Sequence, residues 1–334
     1  DNGKVVSSIF MHVDDGYFSA ATQDIYDNFV TQLNKHFPYG VTYNHGDIHE
    51  YLGMIMDFST PGKCYLTMNK YIESMINEWN VTGKREYPHI KELFNIDRDT
   101  IKLDQEQHES FHRCVGKLIY LAHHCRPDIL CSTIFLSSRV QEPTTQDWNK
   151  LMHLLKYLNS TPNLGLCLQP DKDGKLRLQC YCDASFNVHE GAKSHAGIYI
   201  TFGVGGVLCK SYKIKIVPKS VAEAELNTLS DATSLLVHDR EFAIESQIID
   251  GKDEVIIHED NEAAIHLIRN GRSTSDRTKH IALRHFFVKQ FLDDGTFTLV
   301  HCPTENMIAD ILTKPLQGPQ FFKLRALILG HALP

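Results

Sequence analysis

Two apolar runs, "KLRLQCYCD" (Lys175–Asp183) and "DEVIIHED" (Asp253–Asp260), each end on an aspartate, and a long stretch of helical spacing, Ser220–Ile249, lies between them. Leu226, Leu229, Thr233 and Leu236 mark one face of that helix. Two more strand-like runs, "HAGIYITFG" and "GVLCKSYKIKI", precede it, and "NEAAIHLIRN" opens another helix directly after Asp260. This succession fits a mixed sheet with helices on its faces. In such a sheet, sites gather where strands end and helices start along one edge. Four acids fall there: Asp183 ends the first strand, Glu225 lies near the start of the long helix, Asp260 ends the fourth strand, and Asp310 stands in "ENMIADILTK". One such acid alone is more often a solvated cap than a reacting group. Four of them, each at the end of an element, point to chemistry. Glu223 competes with Glu225 for the helix position.

The chain has 334 residues, 42% of them hydrophobic, enough to bury more than one core, so two domains are expected. The boundary is placed near Leu164 to Lys175, where "PNLGLCLQPDKDGK" breaks the pattern with Pro and Gly. Upstream, "FMHVDDGYFSA" puts Asp14 and Asp15 side by side, although each charge raises the cost of ionising the other. One reading is a hairpin with its turn at Asp15-Gly16, between strands Ile9–Val13 and Tyr17–Ser19. The other is a pair of carboxylates at a hairpin tip that holds Mg²⁺. The segment alone leaves both open. A helix follows with Ile25, Phe29 and Leu33 on one face, then a strand pair leading into a second helix. Lys84 to Glu106 reads as a surface connection, and three helical patterns lie between Phe111 and Thr161.

No run of eighteen apolar residues and no signal-peptide pattern is present, and the chain lacks an initiator Met, so an intracellular piece of something longer is expected, away from membranes. Nine cysteines, scattered through apolar runs, read as reduced core residues. Cys180 and Cys182 do not form a Cys-x-x-Cys pair, so zinc is not expected. A net charge of −7 argues against a generally basic coat for nucleic acid. Two local clusters remain able to meet phosphates: Lys210, Lys213, Lys215 and Lys219, and the stretch from Arg269 to Lys289 that contains Arg277, Lys279 and Arg284. A solvated charged face accounts for either cluster as well.

At the level of motifs, "CDAS", "VAEAEL", "HEDNEAAI" and "IADILTKPL" resemble, in order, the four acidic motifs of the ribonuclease H domain in copia-type retrotransposon Pol polyproteins. "HVDDGYF", "YLGMIMDFS", "LTMNKYI" and "FHRCVGKLIYLAHHCRPDI" resemble the end of the reverse transcriptase in the same family, so the likeness spans nearly the whole chain. It implies an α/β fold: a partial reverse transcriptase palm over 1–83, a helical thumb and connection over 84–170, and a ribonuclease H-like mixed-sheet domain over 171–334.

The resemblance also implies an activity, endonucleolytic cleavage of the RNA strand in RNA–DNA hybrids. Two Mg²⁺ ions, replaceable by Mn²⁺, would serve it from positions about 4 Å apart. Asp183 would bridge them, Glu225 and Asp260 would hold one side, and Asp310 the other. Lys210, Lys213, Arg277, Lys279, His280, Arg284 and His285 are the candidate nucleic-acid contacts, with helix packing as the competing role for both histidines. Asp14 and Asp15 match the paired palm aspartates, but His12 stands where the family has Tyr, and Phe186 is the aromatic residue near the first acid where a Trp is usual. The palm's earlier Asp and the fingers are missing from this chain, so a polymerase remnant inactive by itself is expected. His301 sits on the probable strand "FTLVHC" and is not given the proton-transfer role of the loop histidine found in many cellular ribonucleases H. The implied partners are the hybrid, template RNA, cDNA and other parts of the parent polyprotein, in cytoplasmic virus-like particles and the nucleus. A fragment that keeps the fold as a binding module without turnover is the alternative. A transposase-like strand transferase ranks below both.

Overall fold

The computed structural model describes residues 4–37, 41–270 and 279–333, with the side chains of 270 and 279–282 left out. It opens with a hairpin, β1 (Ser7–His12) and β2 (Asp15–Ala20), followed by helix α1 (Gln23–His36). The turn differs from the expected one. His12 pairs with Asp15, so Val13 and Asp14 form the loop, with Val13 at φ 52°, while Gly16 pairs with Met11 inside the ladder. Cross-strand pairing of Ile9 with Phe18 and Phe10 with Tyr17 decides this register, because aligned bulky side chains stabilise a ladder more than a favourable turn dipeptide does.

Strands β3 (Ile48–Tyr51), β4 (Met54–Asp57) and β5 (Cys64–Thr67) form an antiparallel meander. Helices α2 (Asn69–Glu78), α3 (Gln105–His124), α4 (Leu130–Ser137) and α5 (Thr145–Ser160) follow. The Asp104 side chain accepts the Gln107 N–H at the start of α3, and Thr144 with Asp147 makes a capping box on α5. Strand β6 (Leu166–Leu168) then returns to pair with β5.

The second half contains β7 (Gln179–His189), β8 (Lys193–Thr201), β9 (Leu208–Lys213), α6 (Val221–Glu245), β10 (Ile256–Glu259), α7 (Glu262–Asn270), α8 (Lys279–Asp293), β11 (Thr298–His301), the short α9 (Asp310–Thr313) and α10 (Gly318–Ile328). Its five strands form one sheet in the order β11-β10-β7-β8-β9, with β10 parallel to both β7 and β11, and with β8 and β9 antiparallel. Side chains alternate across it. Ile198 and Ile200 join a core with Leu226, Leu229 and Leu236 of α6, Ile265 and Ile268 of α7 and Val288 of α8. Tyr199, between them, points to the other face and a second core.

That second core crosses the expected domain boundary. It holds Ile72, Phe111, Leu118, Phe135 and Leu154 from the middle helices together with Ile311, Leu312, Phe321, Leu324 and Ile328 from α9 and α10. Backbone bonds tie the same regions together: Cys167 N–H donates to Leu329 C=O at 2.8 Å, and Gly206 N–H to Ile328 C=O at 3.1 Å. Gly330 sits at φ 71°, and a Cβ there would overlap the Cys167 carbonyl, so this junction requires glycine. The middle helices therefore act as the layer that covers the second face of the five-stranded sheet.

Candidate active site

Asp183 lies within β7, the central strand, and is 2% exposed. His258 of β10 pairs with Tyr181, so Asp260, two residues further on, comes level with Asp183. Across the other edge of β7, Asp183 pairs with Gly197 of β8. The missing side chain at Gly197 leaves the space for α9, since a Cβ there would come within 2.7 Å of Thr313 Cγ2 and 2.8 Å of Leu312 Cβ. Seated on the sheet, α9 brings the buried Asp310 to Asp183 and Asp260, and the three carboxylates each offer an oxygen within 4.8 Å of the others.

Helix α6 supplies the fourth acid. Ser220 accepts the Glu223 N–H, and the Glu223 carboxylate accepts the Lys219 N–H at 2.8 Å, so Glu223 caps the helix start. Glu225, two positions on, faces the sheet and meets Glu259 and Asp260 with oxygens within 4.8 Å of one another. All four expected acids thus converge, and Glu225 rather than Glu223 is the helix member. Glu259 is a fifth, fully buried carboxylate that was not expected. Its signal in the sequence was the Glu-Asp doublet closing β10.

Burial governs the electrostatics. It pushes Glu225 well above the ordinary carboxylate range, and the charges of Glu259, Asp183 and Asp260 push the same way. Burial also raises Glu259 to about 8 against the Asn261 N–H it accepts at 3.0 Å, with Asp183 and Asp260 adding to the rise. Asp310 is lifted to about 7 by burial and by Asp183, with Lys314 opposing. Lys314 itself loses solvation, yet Asp183 and Asp310 outweigh this and hold its ammonium above its ordinary value. Its Nζ donates to Asp183 Oδ1 at 3.1 Å and to Asp310 Oδ1 at 2.6 Å. Thr313 donates its hydroxyl to the other Asp183 oxygen, and Thr304 donates to Asp260 at 2.9 Å.

The donor set suits a hard divalent cation. All five groups offer carboxylate oxygens, hard donors of the kind such ions take, and Glu225 Oε2 is buried with no hydrogen-bond partner. Asp14 and Asp15 are exposed at the hairpin and join no group of three such ligands among the described residues.

The basic residues scatter. Lys210 and Lys213 both lie on β9, but the pleat directs them to opposite faces: Lys210 goes with Tyr212, which donates to Asp231 of α6, and Lys213 with Ser211, which donates to Leu312 of α9. Arg284 of α8 donates to Asn227 C=O and Asp231, both at 3.2 Å, and is therefore already paired. His285 is buried, with Nε2 on the carbonyls of Leu267 and Ile268 at 3.1 and 3.2 Å, where it serves the end of α7; of its two candidate roles, packing is the one the geometry fits. Arg277 and the side chains of Lys279 and His280 lie outside the described residues.

A five-stranded mixed sheet of this order, with carboxylates gathered on its two adjacent parallel strands and on the helices beside them, defines a ribonuclease H-like domain. No family model matches the chain. The Pol polyprotein of transposon RE1 from Arabidopsis thaliana is 28% identical over 323 residues, and that of transposon RE2 is 27% identical over 322; each alignment takes in 96% of this chain and 21% of the relative. A transposon Ty5-1 protein of Saccharomyces cerevisiae is 30% identical over 230 residues, 67% of this chain and 71% of that protein. Among solved structures, a foamy viral protease-reverse transcriptase in complex with double-stranded DNA aligns with 89% of this chain and 46% of its own, at 13% identity and a TM-score of 0.49. The chain belongs to the copia-type retrotransposon Pol family, and it spans about a fifth of the length of the two Arabidopsis polyproteins. Among the described residues no helix is long and apolar enough to cross a membrane.

Proposed function

We propose that this chain hydrolyses the RNA strand of RNA–DNA hybrids as the ribonuclease H part of a retrotransposon reverse transcriptase. The observation that supports this most directly is the convergence of Asp183, Glu225, Asp260 and Asp310 beside strands β7 and β10. Two divalent cations, Mg²⁺ or Mn²⁺, would activate the attacking water and stabilise the leaving 3′-oxygen when bound. Asp183 would hold both ions, and Asp260 is the carboxylate that the Asp183–Asp260–Asp310 and Glu225–Glu259–Asp260 groups share. Glu225 and Asp260 would serve one side, Asp310 the other. Thr313 and Thr304 orient Asp183 and Asp260 through hydroxyl donors, fixing which oxygens face the substrate. The hybrid's minor-groove shape and the 2′-hydroxyl would identify the RNA strand.

In this reading 1–83 is part of a palm, 84–170 a thumb and connection, and 171–334 the nuclease region. Asp14 and Asp15 would need a further palm carboxylate to polymerise. Template RNA, cDNA and other Pol segments are its proposed partners. Cleavage of a labelled RNA–DNA hybrid in Mg²⁺ and in Mn²⁺ tests this, with Asp183→Asn as control. Cutting by the parent and not by the variant is expected. No cutting by a folded parent in either metal overturns the reading and leaves a binding module.

A further inference from the structure

The two halves of the acidic site are unequally supplied with positive charge. On the Asp183–Asp310 side, Lys314 already bridges the carboxylates, with Nζ on Asp183 Oδ1 at 3.1 Å and on Asp310 Oδ1 at 2.6 Å. Thr313 takes the second Asp183 oxygen. An ammonium there stands where a cation held by these two acids would lie. On the Glu225 side, three carboxylates from Glu225, Glu259 and Asp260 approach one another, and among the described residues Glu225 Oε2 has no partner and no ammonium or guanidinium bonds to any of the three. Charge crowding of this kind favours a divalent cation far more than a water.

We propose that Lys314 is a resident counter-ion that keeps the Asp183–Asp310 position closed to a metal ion in the free protein, so that only the Glu225–Glu259–Asp260 position, with Glu259 as an added ligand, takes a divalent cation before nucleic acid arrives. The inference rests on the metal-site reading above. Lys314 is able to leave, because its side chain is 34% exposed while those of its two partners are 2% and 6% exposed. A phosphodiester placed at the site offers the ammonium an alternative anion, and transfer of Lys314 to that phosphate would open the position as substrate docks. The residue is thereby a positioning and gating group whose contact with Asp310 comes from the i, i+4 spacing of "DILTK".

Counting bound Mn²⁺ by electron paramagnetic resonance on the full chain without nucleic acid tests this. The parent is expected to bind one equivalent and Lys314→Met two, while Lys323→Met, which removes a charge bonded to Glu305 and Asn306 instead, is expected to bind one like the parent. Glu259→Gln in the parent background is expected to weaken the single site at least tenfold. Equal stoichiometry in the parent and Lys314→Met overturns the gating proposal. If that shared value is one or two, the metal-site reading stands; if it is zero in folded protein, that reading falls with it. A gain in Lys323→Met equal to that in Lys314→Met also overturns it, since general charge removal would then explain the effect. Circular dichroism on each variant establishes folding before the count.

Discussion

His189 and His195 share a hydrogen bond of 2.8 Å between Nε2 and Nδ1, inside the protein. The chain continues from His195 Nε2 to Ser211 Oγ at 2.7 Å, and Ser211 donates onward to Leu312 C=O at 2.7 Å. Because Ser211 spends its proton on Leu312, it accepts from His195 Nε2–H, so His195 Nδ1 accepts from His189 Nε2–H. His195 is therefore neutral, and its chain of bonds through Ser211 ties α9 to the sheet. Burial holds His195 down to about 3 and His189 to about 4. A histidine depressed in the fold contributes stability above its ordinary value of 6.5 and loses it as pH falls toward the lower one. Melting temperature in saturating Mg²⁺ is expected to drop across that interval, and His195→Gln to melt lower near neutrality with a shallower acid slope. Parallel pH profiles for parent and variant would count against this assignment.

The carboxylates shift in the opposite sense. Glu225, Glu259 and Asp310 are raised, so the protonated fold is favoured and stability is lost as pH rises from the ordinary carboxylate range through about 7 for Asp310 and about 8 for Glu259. A divalent cation bound at Glu225 and Glu259 removes their share of that penalty. The melting-temperature gain on adding Mg²⁺ is expected to be larger near about pH 8 than near about pH 6. A gain that shrinks with rising pH would contradict the acidic cluster as the binding site.

Gly197 makes the contact between β8 and α9 possible, and Gly197→Ala should lift α9 away from Asp183. Overpacking of this kind costs about 1–3 kcal/mol. Hybrid cleavage should fall further than stability, because Asp310 moves with the helix. Gly116→Ala is the comparison: its Cβ enters open space within α3, and stability should rise by about 0.5–1 kcal/mol. Urea denaturation beside the cleavage assay reads both.

Arg126 and Asp128 form a fully buried ion pair through two bonds of 2.9 Å, with Tyr157 donating to Asp128 at 2.6 Å and Arg126 also reaching Thr161. Removing one member leaves a buried charge alone, so Asp128→Ala is expected to cost about 3–5 kcal/mol in chemical denaturation. The double variant Arg126→Met with Asp128→Leu should recover most of that loss. Equal losses in single and double variants would show that packing, not charge, dominates there.

Much of this architecture was legible before any coordinates. The three- and four-residue spacing of Leu226, Leu229, Thr233 and Leu236 foretold the buried face of α6; the four acids Asp183, Glu225, Asp260 and Asp310 do meet, although β7 runs on to His189 and Asp183 is not at its end. Glu259 was legible only as the first half of the Glu-Asp doublet; strict strand alternation sets it opposite Asp260, and only the position of α6 turns that opposite face toward Glu225. The hairpin turn was misplaced because Asp15-Gly16 is a local signal, whereas the register follows pairs across strands. Arg284 reads as a phosphate contact in one dimension and pairs with Asp231 in three. The packing of Phe321, Leu324 and Ile328 among the middle helices has no local signature at all.

That last contact bears on how the molecule is made. Synthesis delivers the middle helices well before α10, yet their core lacks Phe321, Leu324, Ile328 and Leu329 until those residues leave the ribosome. During that interval Phe111, Leu118 and Leu154 have no complete cover, and a growing chain exposes apolar surface of the kind chaperones bind. Closure of the middle layer must therefore be one of the last events in folding. It also follows that removing α10 would leave the middle-helix core without Phe321, Leu324, Ile328 and Leu329.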